Sequence, residues 1–227
     1  MARVLAAVAA LAIAVLVGVG VWLYLSLDHI VKRAIERYAP EILQATVELD
    51  DVKLSPRDGA GTLKGLRVGN PKGFRSPHAA TVGTIELAVD PTTVTKDVVL
   101  VKRIVVLGPR ITYEPGGAGS NFDALQRNVQ RSLGPAGDGK RSGERKLVVE
   151  TLTIRDARVT YAPQVGRGTA TISFDLPDIQ LRNVGKSRGG VTPAELAKII
   201  LEALTARIAE TMGRAAIRRS VEGVFGK

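Results

Sequence analysis

Val4 to Leu27 is an unbroken run of twenty-four residues without a charge, and it limits what this chain can fold into more than any other stretch. At about 1.5 Å per residue it forms a helix of roughly 36 Å, enough to cross a ~30 Å hydrocarbon core. Ala, Leu, Ile and Val cover every side of that helix, with no polar stripe of the kind a surface helix shows. The run is too long for a signal-peptide apolar region, and no small-x-small cleavage site follows it. Trp22 and Tyr24 suit a membrane–water interface. These features predict an uncleaved, single-pass signal anchor over residues 1–27. Ala6, Ala10, Ala14 and Gly18 fall at every fourth position, a spacing that lets two such helices approach, so the span is also a candidate homo-oligomer contact. The positive-inside count leaves orientation open, with Arg3 and the α-amino group on one flank and Lys32, Arg33 and Arg37 on the other.

About 200 residues remain beyond the anchor, enough for one domain with a real core. The chain has no cysteine, which removes disulfides, thiolate metal sites and cysteine nucleophiles together. Its two histidines, His29 and His78, stand in no metal-ligand spacing, so no metal is expected. A formal net charge of +10 suits either an anionic partner or a solvated surface that is simply basic. Aromatic residues make up only 4% of the chain, too few for the stacking platforms of single-strand binders, so the anchor favours a lipid surface over nucleic acid. Residues 134–141, GPAGDGKR, carry the glycine and lysine spacing of a phosphate-binding loop. Arg141 stands where the magnesium-binding hydroxyl must be, and no apolar strand leads in. No nucleophile–base signature is present either, so neither enzymatic activity nor a cofactor is expected.

Along the chain, residues 28–45 read as a juxtamembrane helix and linker, with the helix ending near Ala39 because Pro40 disfavours helical backbone before it. From Thr46 the apolar period becomes two. Val47 and Leu49 are out of phase with Val52 and Leu54, and Asp50-Asp51 marks the slip as a bulge or turn. Short alternating runs continue to Tyr113 and resume from Lys146 to about residue 182, separated by turn chemistry such as Asp90-Pro91. No helical pattern interrupts the first set, so a mainly antiparallel sheet with one apolar face is expected over 46–190. Ser120 followed by Asp123 predicts a capped helix carrying Phe122, Leu125, Val129 and Leu133 on one side. Residues 134–146 read as a mobile loop. Thr192-Pro193 opens a long amphipathic helix within 191–227, running to about Val224.

Ile104 to Pro115 aligns without gaps on Leu152 to Pro163, with Arg110, Thr112, Tyr113 and Pro115 matching Arg158, Thr160, Tyr161 and Pro163. A repeated strand–turn–strand unit in a one-sided sheet points to growth by stacking.

The stretches Val47 to Leu54, Gly61 to Phe74, Ile104 to Glu114, Asn121 to Val129 and Asp156 to Tyr161, behind an N-terminal anchor, resemble bacterial AsmA-like proteins, relatives of the chorein-type bridge-like lipid-transfer proteins. The resemblance implies an inner-membrane anchor, the bulk of the chain in the periplasm, and a curved half-groove whose apolar face holds a phospholipid or other acyl lipid. It implies a part in lipid transport or outer-membrane assembly. The chain departs from its long relatives in size: nine or ten strands at about 4.8 Å give only about 45 Å of sheet, too little for a bridge alone. The expected fold is therefore α+β and mainly β: anchor, curved antiparallel sheet, short mid-chain helix and long C-terminal helix. Ile85, Leu87, Val89, Ile104, Val106, Ile111, Ile154, Val159, Ile172 and Phe174 are the candidate lipid contacts. Leu196, Ile200, Leu204 and Ile208 are the apolar side of a candidate lid, with Arg214, Arg218 and Arg219 as candidate headgroup contacts. The alternative is an envelope adaptor that binds a protein through its sheet edges or its last helix.

Overall fold

A computed structural model describes residues 27–117, 119–134, 145–163 and 171–225, with side chains as far as residue 214. The anchor run, including Ala6, Ala10, Ala14 and Gly18, and most of the loop at 134–146 lie outside the described residues. Among the described residues no helix is long and apolar enough to cross a membrane.

Helix α1 covers residues 27–43 and passes through Pro40. The expected stop at Ala39 is wrong for a tertiary reason: Ile42 and Leu43 pack into the main core, and Asn128 Nδ2 donates to the Leu43 carbonyl at 2.8 Å. The chain leaves the helix at Gln44, whose φ is +52°. Ten strands then form one curled sheet: β1 (Val47–Glu48), β2 (Asp51–Ser55), β3 (Ala60–Gly69), β4 (His78–Val89), β5 (Val98–Leu107), β6 (Arg110–Tyr113), β9 (Lys146–Arg155), β10 (Arg158–Tyr161), β11 (Ile172–Asp175) and β12 (Ile179–Val184). A two-residue hairpin, β7 (Pro115–Gly116) with β8 (Gly119–Ser120), leads into helix α2 (Asn121–Leu133). Helix α3 (Pro193–Phe225) ends the described chain.

Both later helices start on capping chemistry that was readable locally. Ser120 Oγ accepts from the Asp123 amide at 3.1 Å, and Asp123 Oδ2 accepts from the Ser120 amide at 2.6 Å. Thr192 and Glu195 exchange the same pair of bonds at the head of α3, at 3.2 and 2.7 Å. Each satisfies amides that a helix start leaves unpaired.

The sheet is mainly antiparallel, as expected, but two of its pairs are parallel. β5 pairs β9 in parallel and β6 pairs β10 in parallel, with α2 inside the crossover. The register is constant across both pairs: Ile104 faces Leu152, and Arg110 faces Arg158. The sequence repeat is therefore the parallel pairing itself, one bent strand laid beside its copy.

The ten strands are segments of six long ones. Thr84 faces Leu107 in β5 while Thr81 faces Arg110 in β6, one unshifted register on β4. Likewise β9 and β10 meet β12 and β11 in one register, and β1 and β2 meet β3 in one. Carried through the breaks, these registers align Asp50, Gly65, Gly83, Gly108, Asp156 and Pro177 in a single line across the sheet. This line is a crease. Gly65, Gly108 and Asp156 have φ of +63°, +56° and +53° there. The side-chain phase reverses at the line: in the next row Leu49, Val82, Pro109, Ala157 and Leu176 are buried and Leu66 is half-buried, while Arg110 and Arg158 one row further are exposed. One extra residue in each strand thus bends the sheet without breaking its register. Six strands make five spacings, or roughly 24 Å of width, about half the expected span.

Candidate functional site

One face of the bent sheet is apolar from edge to edge. On one side of the crease Val52, Leu63, Ile85, Val106, Ile154 and Ile179 stand in register, a continuous aliphatic row from one edge strand to the other. Leu54, Leu87, Ile104, Leu152 and Leu181 form a second row, interrupted only at Gly61. Across the crease Val47, Val68, Ala80, Ile111, Val159 and Phe174 continue the face. Eight of the ten candidate lipid contacts therefore lie in these rows: Ile85, Leu87, Ile104, Val106, Ile111, Ile154, Val159 and Phe174. Val89 lies past a register shift and packs on the same core. Ile172, two residues from Phe174, points to the same face but lies beyond its covered part, 48% exposed at the end of edge strand β11.

Three helices cover this face. Phe122, Leu125, Val129 and Leu133 of α2 are buried against Ile111, Leu152, Ile154 and Val159 in the main core. Val31 and Ile35 of α1 pack on a smaller cluster built on Leu49, Val52 and Leu63. α3 rests on α2 and β12 rather than running along an empty apolar face, because α2 already occupies the middle. Ile208 is buried, and Leu196, Ile200 and Leu204 are half-buried in the same core. The α3 contacts from Leu196 to Met212 include Ala197, Ile199 and Leu201. At 100° per residue they sweep an arc of roughly 220°, wider than a single amphipathic stripe because the helix is held between α2 and the sheet. Gln126 Nε2 of α2 donates to Thr205 Oγ1 of α3 at 3.1 Å. Arg214 is exposed and donates to Glu210 Oε1 at 2.6 Å. The Arg218 and Arg219 side chains lie outside the described residues.

The two sheet edges are treated differently. Along β1 and β2, α1 supplies side chains to the strand backbone: Asp28 Oδ1 accepts from the Leu54 amide at 2.9 Å, Glu36 Oε1 from the Leu49 amide at 3.0 Å, and Lys32 Nζ donates to the Asp50 carbonyl at 3.2 Å. Positions 28, 32 and 36 share one helix side, so the helix following the expected anchor clasps this edge. The outer edge of β11 and β12 pairs with no strand among the described residues.

A buried polar clasp, invisible in the sequence pattern, fixes α2 to the loop before β4. The Glu114 carboxylate, 1% exposed, accepts from the amides of Arg75 and Ser76, both at 2.8 Å. Asn121 Oδ1 accepts from the Glu114 and Phe122 amides at 3.0 Å each, and its Nδ2 donates to Asn70 Oδ1 and the Thr112 carbonyl at 2.7 Å. A buried carboxylate with this many amide donors is held as a structural acceptor.

On the helix-free face the crease opens two shallow cavities. The first, of about 500 Å³, is lined by Gly65, Arg67, His78, Thr81, Gly83, Gly108 and Arg110 among others. The second, of about 450 Å³, is lined by Arg110, Asp156, Arg158, Asp175, Pro177 and Asp178 with Gly108 and Leu176. Register places Glu48, Arg67, Thr81, Arg110, Arg158 and Asp175 in one row beside the crease. Arg67 reaches Asp50 at 2.7 Å and Glu48 at 3.1 Å, and these hydrogen bonds, Asp50 first, raise its pKa. Arg158 binds Asp175 at 2.8 Å, which raises the guanidinium's pKa and lowers the carboxyl's. No family model matches this chain, and no curated protein resembles it at a significant level.

Proposed function

We propose that the protein is a membrane-anchored, non-enzymatic envelope component of the AsmA-like kind, set in the bacterial inner membrane with its bulk in the periplasm. It takes a phospholipid or other acyl lipid on the apolar face and contributes to lipid transport or outer-membrane assembly. The observation that carries the reading is the aliphatic row from Val52 to Ile179, which crosses all six strands without a polar side chain. Only helices shield it, and the terminal one, α3, is the element that can move aside without unpairing a strand. A sheet about 24 Å wide holds a lipid but does not span a periplasm, so the protein acts with other components or at one membrane.

The test uses the absence of native cysteine. Gln126→Cys combined with Thr205→Cys places two thiols where a hydrogen bond now joins α2 to α3. With the full chain in neutral detergent, a fluorescent fatty acid should bind the oxidised protein at least tenfold more weakly than the reduced protein. Equal binding in both states rules α3 out as the lid. The adaptor reading draws on the open β11–β12 edge with its exposed Ile172, and absence of acyl binding in both states would favour it.

A further inference from the structure

We propose that the first crease cavity, on the face away from the helices, is a binding site for a phosphate group, with Arg110 as its charged donor. The row beside the crease carries three arginines, and the carboxylates at its two ends serve only the outer two. Arg67 is held by Glu48 and Asp50, and Arg158 by Asp175. Arg110 lies between Thr81 and Arg158, is exposed, and has no carboxylate partner among the described residues. Like charges directly across a strand pair repel, and an anion seated against Arg110 removes that repulsion. A guanidinium presents two parallel N–H donors to a phosphate, and the Thr81 hydroxyl lies in the same wall.

A further observation points to a ligand. Gly83, on the floor, needs to be glycine neither for backbone conformation nor for crowding: it has no positive φ, and nothing lies within 4 Å of where its Cβ would stand. Its missing side chain leaves the groove open. The charges also select between the two cavities. No carboxylate lines the first, whereas Asp156, Asp175 and Asp178 line the second and repel an anion there.

The source of the phosphate is a free phosphate compound or the headgroup of a phospholipid. Calorimetric titration of the full chain in neutral detergent, with inorganic phosphate, glycerol 3-phosphate and dihexanoyl-phosphatidylglycerol in turn, separates them by which binds tightest. Arg110→Gln and Gly83→Val should each weaken the tightest of these at least tenfold. Arg103→Gln, an exposed arginine elsewhere on β5, should leave it within twofold. Circular dichroism confirms that each variant is folded, and Gly83→Val, whose Cβ meets no neighbour, keeps the test valid should Arg110→Gln misfold. Binding unchanged in both crease variants, weakened equally in Arg103→Gln, or absent from the parent chain overturns the site.

Discussion

The bent strand β5–β6 and its copy β9–β10 follow the same path with different residues at the bend and different neighbours. Each turns at a residue of positive φ, Gly108 at +56° in one and Asp156 at +53° in the other. Each then presents Arg, an apolar residue, Thr and Tyr in identical register, and Tyr113 and Tyr161 stack at 6.2 Å. The bend is thus set by backbone conformation and by the one additional residue, not by the identity of the side chain. Where the copies diverge is in charge: Arg158 faces Asp175 on the next strand, while Arg110 faces Thr81. The architecture repeats, and the electrostatics do not.

The sharpest way to break this comparison is to remove the additional residue. Deleting Gly108 reverses the phase of everything after it in β6, turning Ile111, now 2% exposed, outward and Arg110 into the core. Losing one buried aliphatic side chain costs about 2–5 kcal/mol, and an unpaired buried charge costs more. Against a total stability of about 5–15 kcal/mol, the variant should lack a cooperative thermal transition by circular dichroism. Deleting Asp156 should do the same through Val159, which is fully buried. A normal melt from either deletion shows that the crease is incidental.

Smaller changes sharpen the comparison. A left-handed backbone costs an L-residue about 1–2 kcal/mol, less for Asp, so Gly108→Ala should destabilise by about 1 kcal/mol or more and Gly108→Asp by less. Gly83→Ala, on the same line without positive φ or close neighbours, should fall within about 0.5 kcal/mol of the parent. Urea unfolding curves that rank Gly83→Ala below Gly108→Ala contradict the account. Gly65 differs from both, since a Cβ there meets Asp50 Oδ2 at 1.9 Å.

Much of this was legible because it is local. The caps at Ser120 and Thr192 and the strand alternation announce themselves within a few residues. The candidate apolar face even spans the phase reversal correctly, from Val106 to Ile111 and from Ile154 to Val159. Asp50-Asp51 showed one crossing of the crease. Gly83 and Pro177 did not, because alignment across six strands exists only once the strands are paired. Parallel pairing was hidden for a similar reason: alternation encodes which face is apolar, not which way a neighbour runs, although a gapless internal repeat is what an in-register parallel pair leaves behind. Glu114 and Asn121 gave no signal, since a lone carboxylate and amide acquire meaning from amides distant in the chain.

The finest distinction lies in the one ion pair that separates the two arginines. In the folded protein the Asp175 carboxyl sits below its ordinary range because Arg158 hydrogen-bonds and attracts it. A carboxyl depressed on folding stabilises at pH values above its unfolded pKa and loses that contribution as pH falls through the folded one. The pair is exposed, at 57% and 71% for its two side chains, so solvent screens it and the stability change is small. Asp175→Asn should therefore leave the melting temperature at neutral pH nearly unchanged and flatten its dependence on pH only in the acid range. Its larger consequence is electrostatic: Arg158, released from its carboxylate, becomes a second unpaired guanidinium beside Arg110. If the crease charges govern anion binding, Asp175→Asn should tighten phosphate binding severalfold in the titration that Arg110→Gln weakens. Unchanged or weaker binding would mean that the difference between the two copies has no bearing on what the crease can hold.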